Sequence, residues 1–283
     1  MAETNWKHLK DESIDLAILP WGATEAHNYH LPYATDVIEG TSIAEASAKI
    51  AWEQGSKVIV LPTIPFGVNT GQPDIYLDMN LNPSTQFAIL KDILTVLNRQ
   101  GIKKFMILNS HGGNNWKAII RELGLLFPDM FLCVTNWFNL GNESGVFDKP
   151  GDHAGEMETS LILHLTPELV LPKEEWGDGK EFKNKIKAFS EGWAWTERPW
   201  SKISEDTGVG DPSKASKEKG EVFFSADEGC TRATRFEFWR PRRNISRLKP
   251  EGCEYLFPLK TLFWIAMQQS HNEVIVELWN API

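Results

Sequence analysis

Residues 20–36 read PWGATEAHNYHLPYATD and follow directly on the apolar residues 16–19. The apolar run is typical of a buried strand. The polar stretch that follows it lies where such a strand leaves its sheet. It carries two acids and two histidines, which are Glu25, His27, His30 and Asp36. A solvated loop more often carries Lys, Ser and Asn, so this composition favours a built site, and its residue types favour a metal ion.

The chain around this stretch alternates predicted strands with predicted helices. Apolar residues on one face indicate the helices, and Asn82-Pro83-Ser84 and Gly101 are start and stop signals. Such an alternation predicts an α/β fold with a mainly parallel sheet covered on both faces. The predicted strands are 15–21, 57–61, 104–109 and 130–136, and the predicted helices are 41–54, 84–99, 115–127 and 156–165.

The second half of the chain is less regular. Residues 176–220 are rich in Gly, Trp, Lys and Glu, which predicts a long loop or insertion packed on the main domain. We predict a strand at 234–239 and a buried helix at 255–269, and residues 272–280 alternate as a strand does. No linker-like or repeated segment divides the sequence, so residues 1–283 are predicted to form one domain.

Three polar clusters accompany the predicted strands. The first lies in residues 20–36, the second is NSHGGN at 109–114, and the third is DHAGEMETS at 152–160. They contain four of the seven histidines of the chain. Because ligands of parallel sheets gather at the carboxyl ends of the strands, we predict that the three clusters meet at one edge.

The residue types in these clusters suit Zn, Mn or Fe in the divalent state. Glu25 and His27 are two residues apart, which in an extended segment points both side chains the same way. Asp36 has two oxygens and could bridge two ions. Structural alternatives stay open. A lone histidine after a strand is more often a cap or core residue, and Asp36 could cap the next helix. Glu158 could be an acid near a helix N-terminus, where the helix dipole stabilises negative charge.

The net charge, the lengths of the apolar runs and the cysteines limit the classes of partner and the location that we expect. The net charge of −9 and the pI of about 5.4 disfavour nucleic acid, which needs a clustered positive surface. No apolar run reaches the roughly 18 residues of a membrane helix, and the polar N-terminus is unlike a signal peptide. Cys133, Cys230 and Cys253 are far apart and form neither a zinc pair nor a disulfide framework. We therefore expect a cytoplasmic protein.

Four motifs, in order along residues 16–221, resemble those of the creatininase (creatinine amidohydrolase) family. They are LPWGATEAHNYHLPYATD, NSHGGN, HAGEMETS and GDPSKASKEKGE. The resemblance implies a three-layer α/β/α fold and a site of two divalent metal ions. It also implies hydrolysis of the C–N bond of a small cyclic amide, amidine or formamide, and assembly into a homo-oligomer, a hexamer.

Carried over residue by residue, the resemblance implies that Asp36 bridges the two ions. Two ions would lower the pKa of a shared water, which attacks the amide carbon. His153 would then pass a proton to the departing nitrogen. His30 would hydrogen-bond a ligating carboxylate and fix its orientation. The implied ligands are Glu25, His27, Asp36, His111 and Glu158, with Glu156 as the alternative to Glu158. The implied catalytic residues are His153 and Glu158.

The sequence departs from the family pattern in three places. Gly113 stands where creatininase itself has a glutamate that binds metal, and Asn28 and Ser110 replace glycines. Creatinine is therefore a doubtful substrate, and a formamide or another small amide is an alternative. A second alternative is a non-catalytic binding protein that keeps the fold and the pocket. The Trp-rich residues 191–200 have no matched counterpart and could line the pocket, form a subunit interface or be buried.

Overall fold

The computed structural model describes residues 1–139, 145–149 and 151–225. Four strands and eight α-helices alternate through this part of the chain. In chain order they are α1 (Trp6–Leu9), β1 (Leu16–Trp21), α2 (Thr35–Glu53), β2 (Val58–Val60), α3 (Pro83–Arg99), β3 (Lys104–Asn109), α4 (Trp116–Leu126), β4 (Phe131–Asn136), α5 (Glu156–Leu165), α6 (Lys187–Ser190), α7 (Trp200–Ile203) and α8 (Lys217–Phe224).

The four described strands form one parallel sheet in the order β2-β1-β3-β4. Trp21 pairs with Asn109, and Asn109 pairs with Asn136, so β1, β3 and β4 end level with one another. The segments that follow these strands consequently leave the sheet at one edge. This register places the second polar cluster beside the first.

Helices cover both faces of the sheet. Alternate residues of β1 point to opposite faces: Leu16 and Ile18 pack into one core cluster, whereas Ala17 and Leu19 pack into another. The first cluster includes apolar residues of α2, α5 and α8, and the second includes residues of α3 and α4. The predicted three-layer α/β/α class with a mainly parallel sheet is confirmed.

The predicted core elements differ from the observed ones mainly at α2. This helix begins at Thr35, whereas the sequence predicted a start at residue 41. Gly40 weakens the helical signal of the first turns. In the structure Gly40 packs against Ser110, whose hydroxyl oxygen would lie only 2.6 Å from a β-carbon at position 40. Tertiary packing therefore overrides the propensity, and Asp36 lies inside the first turn of α2.

The predicted loop or insertion at 176–220 contains the short helices α6 and α7 and the beginning of α8. Helix α8 packs on α5, and Gly220 allows a close approach to the carbonyl of Ser160. The elements predicted at 234–239, 255–269 and 272–280 lie outside the described residues, and the single domain over 1–283 stays a prediction. Among the described helices, none is both long and apolar enough to cross a membrane.

Candidate metal centre

The three polar clusters meet at the carboxyl edge of the sheet. Glu25 and His27 come from the loop between β1 and α2, and Asp36 comes from the first turn of α2. His111 follows β3, and Glu158 lies in the first turn of α5. The structure brings all five predicted ligands together, and three of these are fully buried: Glu25, His27 and Asp36.

The loop that carries Glu25 and His27 has an unusual turn at Asn28. Its φ of 54° lies in the left-handed region, which favours Gly and tolerates Asn. The Asn28 side chain also accepts a hydrogen bond from the backbone N–H of Gly177 at 2.9 Å and donates one to its carbonyl at 3.2 Å. Asparagine thus keeps the glycine-like turn and ties the loop to the segment after α5.

One group of potential ligands consists of Glu25, Asp36 and His111. His111 Nδ1 lies 2.9 Å from Glu25 Oε1 and 3.2 Å from Asp36 Oδ2. One ligand atom from each residue lies within 4.8 Å of the others. Gln72 donates a hydrogen bond from Nε2 to Glu25 Oε2 and fixes the carboxylate from the far side.

A second group consists of His27, Asp36 and Glu158. His27 Nε2 lies 3.0 Å from Asp36 Oδ1, and the three ligand atoms lie within 4.8 Å of one another. The backbone N–H of Ala154 donates to Glu158 Oε2 and orients that carboxylate. Asp36 therefore offers Oδ2 to the first group and Oδ1 to the second, which is the arrangement a bridging carboxylate requires.

His153 lies at the border of both groups. Its Nδ1 is 3.8 Å from Glu25 Oε1, and its ring lies 4.1 Å from the ring of His27, measured between centroids. Glu25, His27 and His153 also form a third set of ligand atoms within 4.8 Å. His153 could thus either ligate an ion or move a proton beside one, and Trp200 packs edge-on against its other side at 4.8 Å between centroids.

In three histidines of the cluster, the ring nitrogen that faces away from the carboxylates carries a proton: Nδ1 in His27, and Nε2 in His111 and His153. The outer ring nitrogen of each lies at a backbone carbonyl: His27 Nδ1 at Glu25 (3.1 Å), His111 Nε2 at Val68 (2.9 Å) and His153 Nε2 at Ala26 (2.9 Å). A carbonyl oxygen only accepts, so each outer nitrogen carries a proton. The inner nitrogen of a neutral ring then presents a lone pair to the carboxylates. Metal-bound histidines are held in this way by a second hydrogen bond.

The carboxylates control the charge on these rings. Burial lowers the pKa of His27, but Asp36 and Glu158 outweigh it and raise that pKa to about 10. Burial likewise opposes protonation of His111, yet Glu25 and Asp36 raise its pKa well above the usual range. In the protein alone, protons on two rings therefore balance the buried acids. A divalent cation can take the place of those protons.

The pKa values of the other groups follow from burial. Burial lowers the pKa of His153 to about 4, and positive charge on His27 adds to this shift. Burial raises the pKa of Glu158 to about 7 against the opposing attraction of His27. His153 is therefore neutral near pH 7 and has a free inner nitrogen that can accept a proton.

The donor set fits two divalent ions that share Asp36. Oxygen and imidazole nitrogen ligands are those that Zn, Mn and Fe prefer. Three inner nitrogens and the oxygens of three carboxylates converge, and the outer nitrogens are already oriented by carbonyls. The types and orientation of the donor atoms therefore match divalent ions, whereas the ligand roles of the individual residues stay predictions.

Two expectations about neighbouring residues have different outcomes. The prediction that His30 bonds a carboxylate is wrong: its Nε2 lies 2.9 Å from the hydroxyl oxygen of Thr159, and its ring stacks on Trp176. The loop before α2 holds His30 next to α5, where the hydroxyl of Thr159 is its hydrogen-bond partner. Glu156, two residues before Glu158, points away from the cluster and pairs with Lys219 of α8.

Gly113 leaves no room for a side chain. A β-carbon at this position would lie 2.4 Å from the carbonyl oxygen of Val68 and 2.5 Å from His111 Nε2. These are the two atoms of the hydrogen bond that sets the His111 tautomer. A carboxylate at position 113 therefore requires a different local backbone, and the ligand set of this chain must do without it.

A cavity of about 650 Å³ opens onto the cluster. This volume falls in the range of pockets that hold drug-sized ligands, roughly 300–1,000 Å³. Trp195, Arg198 and Trp200 of the Trp-rich stretch line the cavity. Trp200 is buried, whereas the side chain of Trp195 is 82% exposed. These residues thus contribute to the cavity wall, Trp200 is buried as well, and a subunit interface at this stretch stays a prediction.

The sequence reasoning missed Glu39, a fully buried acid on α2. Burial raises its pKa well above the usual range, and the carboxylates of Glu158 and Asp36 raise it further. A signal was present: the residues of α2 that face the core recur at helical spacing, and Glu39 lies on that face three residues after Asp36. Gln72 was missed as well, because its long loop has no periodic pattern.

Comparisons with known proteins agree with this geometry. The family model described as creatininase, creatinine amidohydrolase, matches residues 2–227. A mycofactocin precursor peptide peptidase from Mycolicibacterium smegmatis is 28% identical over 82% of this chain and 88% of its own length. The creatinine amidohydrolase of Pseudomonas putida is 25% identical over 60% of this chain and 73% of its own length.

Solved structures share the fold. A Bacteroides fragilis protein provisionally named as a creatinine amidohydrolase is 42% identical, with a TM-score of 0.74 over 79% of this chain and 89% of its own length. Creatininases with 22% and 21% identity and TM-scores of 0.63 and 0.64 include a zinc–zinc form and a manganese form, and each match covers 79% of this chain and 92% of theirs.

Proposed function

The chain belongs to the creatininase family, and we propose that it is a divalent-metal-dependent amidohydrolase. It cleaves the C–N bond of a small cyclic amide, amidine or formamide. The observation that carries this proposal is the inward-facing lone pair of His27 and His111, each set by a carbonyl on its outer nitrogen. Without a cation, these nitrogens are compatible with the adjacent carboxylates only when they are protonated.

Two ions are the cofactor that this donor set suits, with zinc, manganese and iron as candidates. Glu25, Asp36 and His111 would hold one ion, and His27, Asp36 and Glu158 would hold the other. When bound, such a pair supplies a water of lowered pKa and polarises the carbonyl of the substrate. The zinc–zinc and manganese forms of creatininases support this choice.

A side chain of the protein carries out the proton transfer. His153 is neutral near pH 7 and presents Nδ1 to the edge of the cluster, so it can accept a proton and return it to the departing nitrogen. The carbonyl of Ala26 holds its ring in this orientation. Trp200 shields one side of the ring and reduces its contact with water.

The substrate we propose is not creatinine. Gly113 cannot supply the carboxylate that creatininase itself has there, and the cavity accepts molecules larger than one small ring. Relatives are named for a peptide and for creatinine, so the family supports more than one amide-bearing substrate. A cytoplasmic location and a hexamer stay predictions.

A second candidate is a non-catalytic binding protein that keeps the pocket, and the missing carboxylate at position 113 favours it. A substrate screen separates the two. Metal-stripped protein is reloaded with Zn, Mn or Fe and assayed on cyclic amides, cyclic amidines, N-formyl compounds and short peptides. Turnover that depends on metal and is lost in His153→Ala supports the enzyme. Full metal loading without turnover of any class supports the binding protein.

A further inference from the structure

Glu39 is a buried acid whose carboxyl oxygens have no hydrogen-bond partner in the part of the chain that the structure describes. Its side chain is 0% exposed, and neither Oε1 nor Oε2 has a hydrogen-bond partner among the described residues. An ionised carboxylate in such a place costs several kcal/mol unless a cation pairs with it. A protonated carboxyl also needs an acceptor for its hydroxyl. Within the described part of the chain, neither form is accommodated.

The position of Glu39 on α2 places this unpartnered carboxylate near the metal centre. Glu39 follows Asp36 by three residues on α2, so the two side chains lie on the same face of the helix. That face packs on α5, which carries Glu158. The carboxylates of Glu158 and Asp36, which belong to the group with His27, raise the pKa of Glu39 beyond the effect of burial. Glu39 therefore lies near this group on the buried face of α2, outside the sets of ligand atoms that lie within 4.8 Å of one another.

The balance of charges in the metal centre indicates a role for the unpartnered carboxylate of Glu39. With neutral histidines, Glu25, Asp36 and Glu158 carry three negative charges, whereas two divalent ions carry four positive charges. An uncompensated buried charge is costly, so the site favours a fourth negative charge, which either a hydroxide from the shared water or a further acid can supply. In creatininase itself that acid stands at the position of Gly113, and here a side chain at that position would collide with Val68 and His111. Glu156 and Asp206 are also buried, but both have partners, whereas Glu39 has none among the described residues.

We propose that Glu39 is the fourth carboxylate of the metal centre and supports the ion of His27, Asp36 and Glu158 from the buried face of α2, without ligating it directly. This inference rests on the proposed function, because it requires two bound ions. Glu39 stabilises the second ion by its charge and holds the site electrically neutral. In creatininase itself the fourth acid lies in the loop after β3, whereas here Glu39 on helix α2 has that role.

The test is metal binding by full-length protein. Wild type, Glu39→Gln and Glu45→Gln are stripped with chelator and titrated with Zn²⁺ alone against a competing chelator. Glu45 is the matched control, because it is exposed on the same helix. We expect two ions in wild type and in Glu45→Gln. In Glu39→Gln we expect one tight ion and a second that binds at least about tenfold more weakly, the scale of losses at metal-supporting groups.

Thermal unfolding gives a second measurement, the melting temperature with and without Zn²⁺. Replacing a purely structural residue would change these melting temperatures in a different way. Metal-free Glu39→Gln and Glu39→Leu should melt no lower than metal-free wild type, because each removes a buried carboxyl group that has no hydrogen-bond partner among the described residues. Their stabilisation by Zn²⁺ should be smaller than that of wild type. Lower melting of both metal-free variants, with an unchanged zinc shift, would make Glu39 structural and overturn the inference.

The outcomes also separate this inference from the proposed function. Fewer than two ions in wild type would overturn both. Two ions in wild type, bound equally tightly by Glu39→Gln, would overturn the role of Glu39 alone.

Discussion

His111 Nδ1 lies 2.9 Å from Glu25 Oε1, while the opposite ring nitrogen is held 2.9 Å from the carbonyl oxygen of Val68. The carbonyl fixes the proton on the outer nitrogen. The contact with Glu25 is therefore favourable only when a second proton or a metal ion lies between the two residues. This relationship couples metal binding to pH and to the backbone around Gly113.

The first prediction concerns His27→Ala. The variant should lose or weaken one of two ions by at least about tenfold and lose hydrolysis, because His27 supplies the imidazole of the second group. Metal analysis gives the ion count, and circular dichroism reports the fold. His8→Ala is the control, since His8 is exposed on α1. Unchanged metal content and turnover in His27→Ala would make His27 a structural residue.

The second prediction concerns pH. His27 has a pKa of about 10 in the folded protein, above its usual 6.5, because nearby carboxylates outweigh burial. A raised pKa contributes stability that is fully present below pH 6.5 and is lost as the pH rises to about 10. Metal-free protein should therefore melt at lower temperature as the pH rises through this window. The raised pKa of His111 acts in the same direction.

Metal binding should show the opposite trend over the same window. Ions must displace the protons on His27 and His111, so the apparent affinity for Zn²⁺ should rise with pH and proton release should accompany binding. Calorimetry in buffers of different ionisation enthalpy measures that release. Binding without proton release at pH 7 would contradict the protonation states described above.

The third prediction uses two adjacent glycines. Gly113→Ala should destabilise the protein by about 1–3 kcal/mol, the usual cost of overpacking, because its β-carbon would meet Val68 and His111. It should also weaken metal binding, since the same contact disturbs the His111 tautomer. Gly112→Ala is the matched control, because a β-carbon there has nothing within 4 Å. Equal effects of the two variants on melting and zinc affinity would refute this reading.

The sequence predicted much of this arrangement and missed specific parts of it. Strand positions and the meeting of the three clusters followed from buried apolar runs and from the rule that parallel strands end at one edge. The start of α2 was missed because the packing of Gly40 against Ser110 is a tertiary effect. Glu39 was missed because the helix was predicted to begin at residue 41, which left this acid in a loop and hid its place on the buried face of α2.

The partner of His30 could not be predicted for a related reason. A motif places a residue near the site, but its bond depends on which helix approaches it, and here Thr159 of α5 does so. Likewise, sequence spacing left Glu156 and Glu158 as competing ligands. The structure separates them because α8 brings Lys219 to Glu156.

The fourth prediction concerns substrate and ligand together. Metal-loaded protein should turn over creatinine with a kcat/KM below about 10⁴ M⁻¹s⁻¹, the lower end of the ordinary enzyme range. The reason is the absent carboxylate at Gly113 and the wide cavity. Steady-state kinetics decides the point. Glu158→Gln should weaken one ion and activity together, and its keeping both ions and full turnover would exclude Glu158 as a ligand.

Crystallography at the zinc absorption edge tests the central claim most directly. Protein reloaded with Zn²⁺ should show two anomalous peaks in the cluster. One peak should lie among Glu25, Asp36 and His111, and the other among His27, Asp36 and Glu158, with ligand distances of about 2.0–2.2 Å. Asp36 should contact both ions. No peak in the cluster, or a single peak among Glu25, His27 and His153, would contradict the two-ion site.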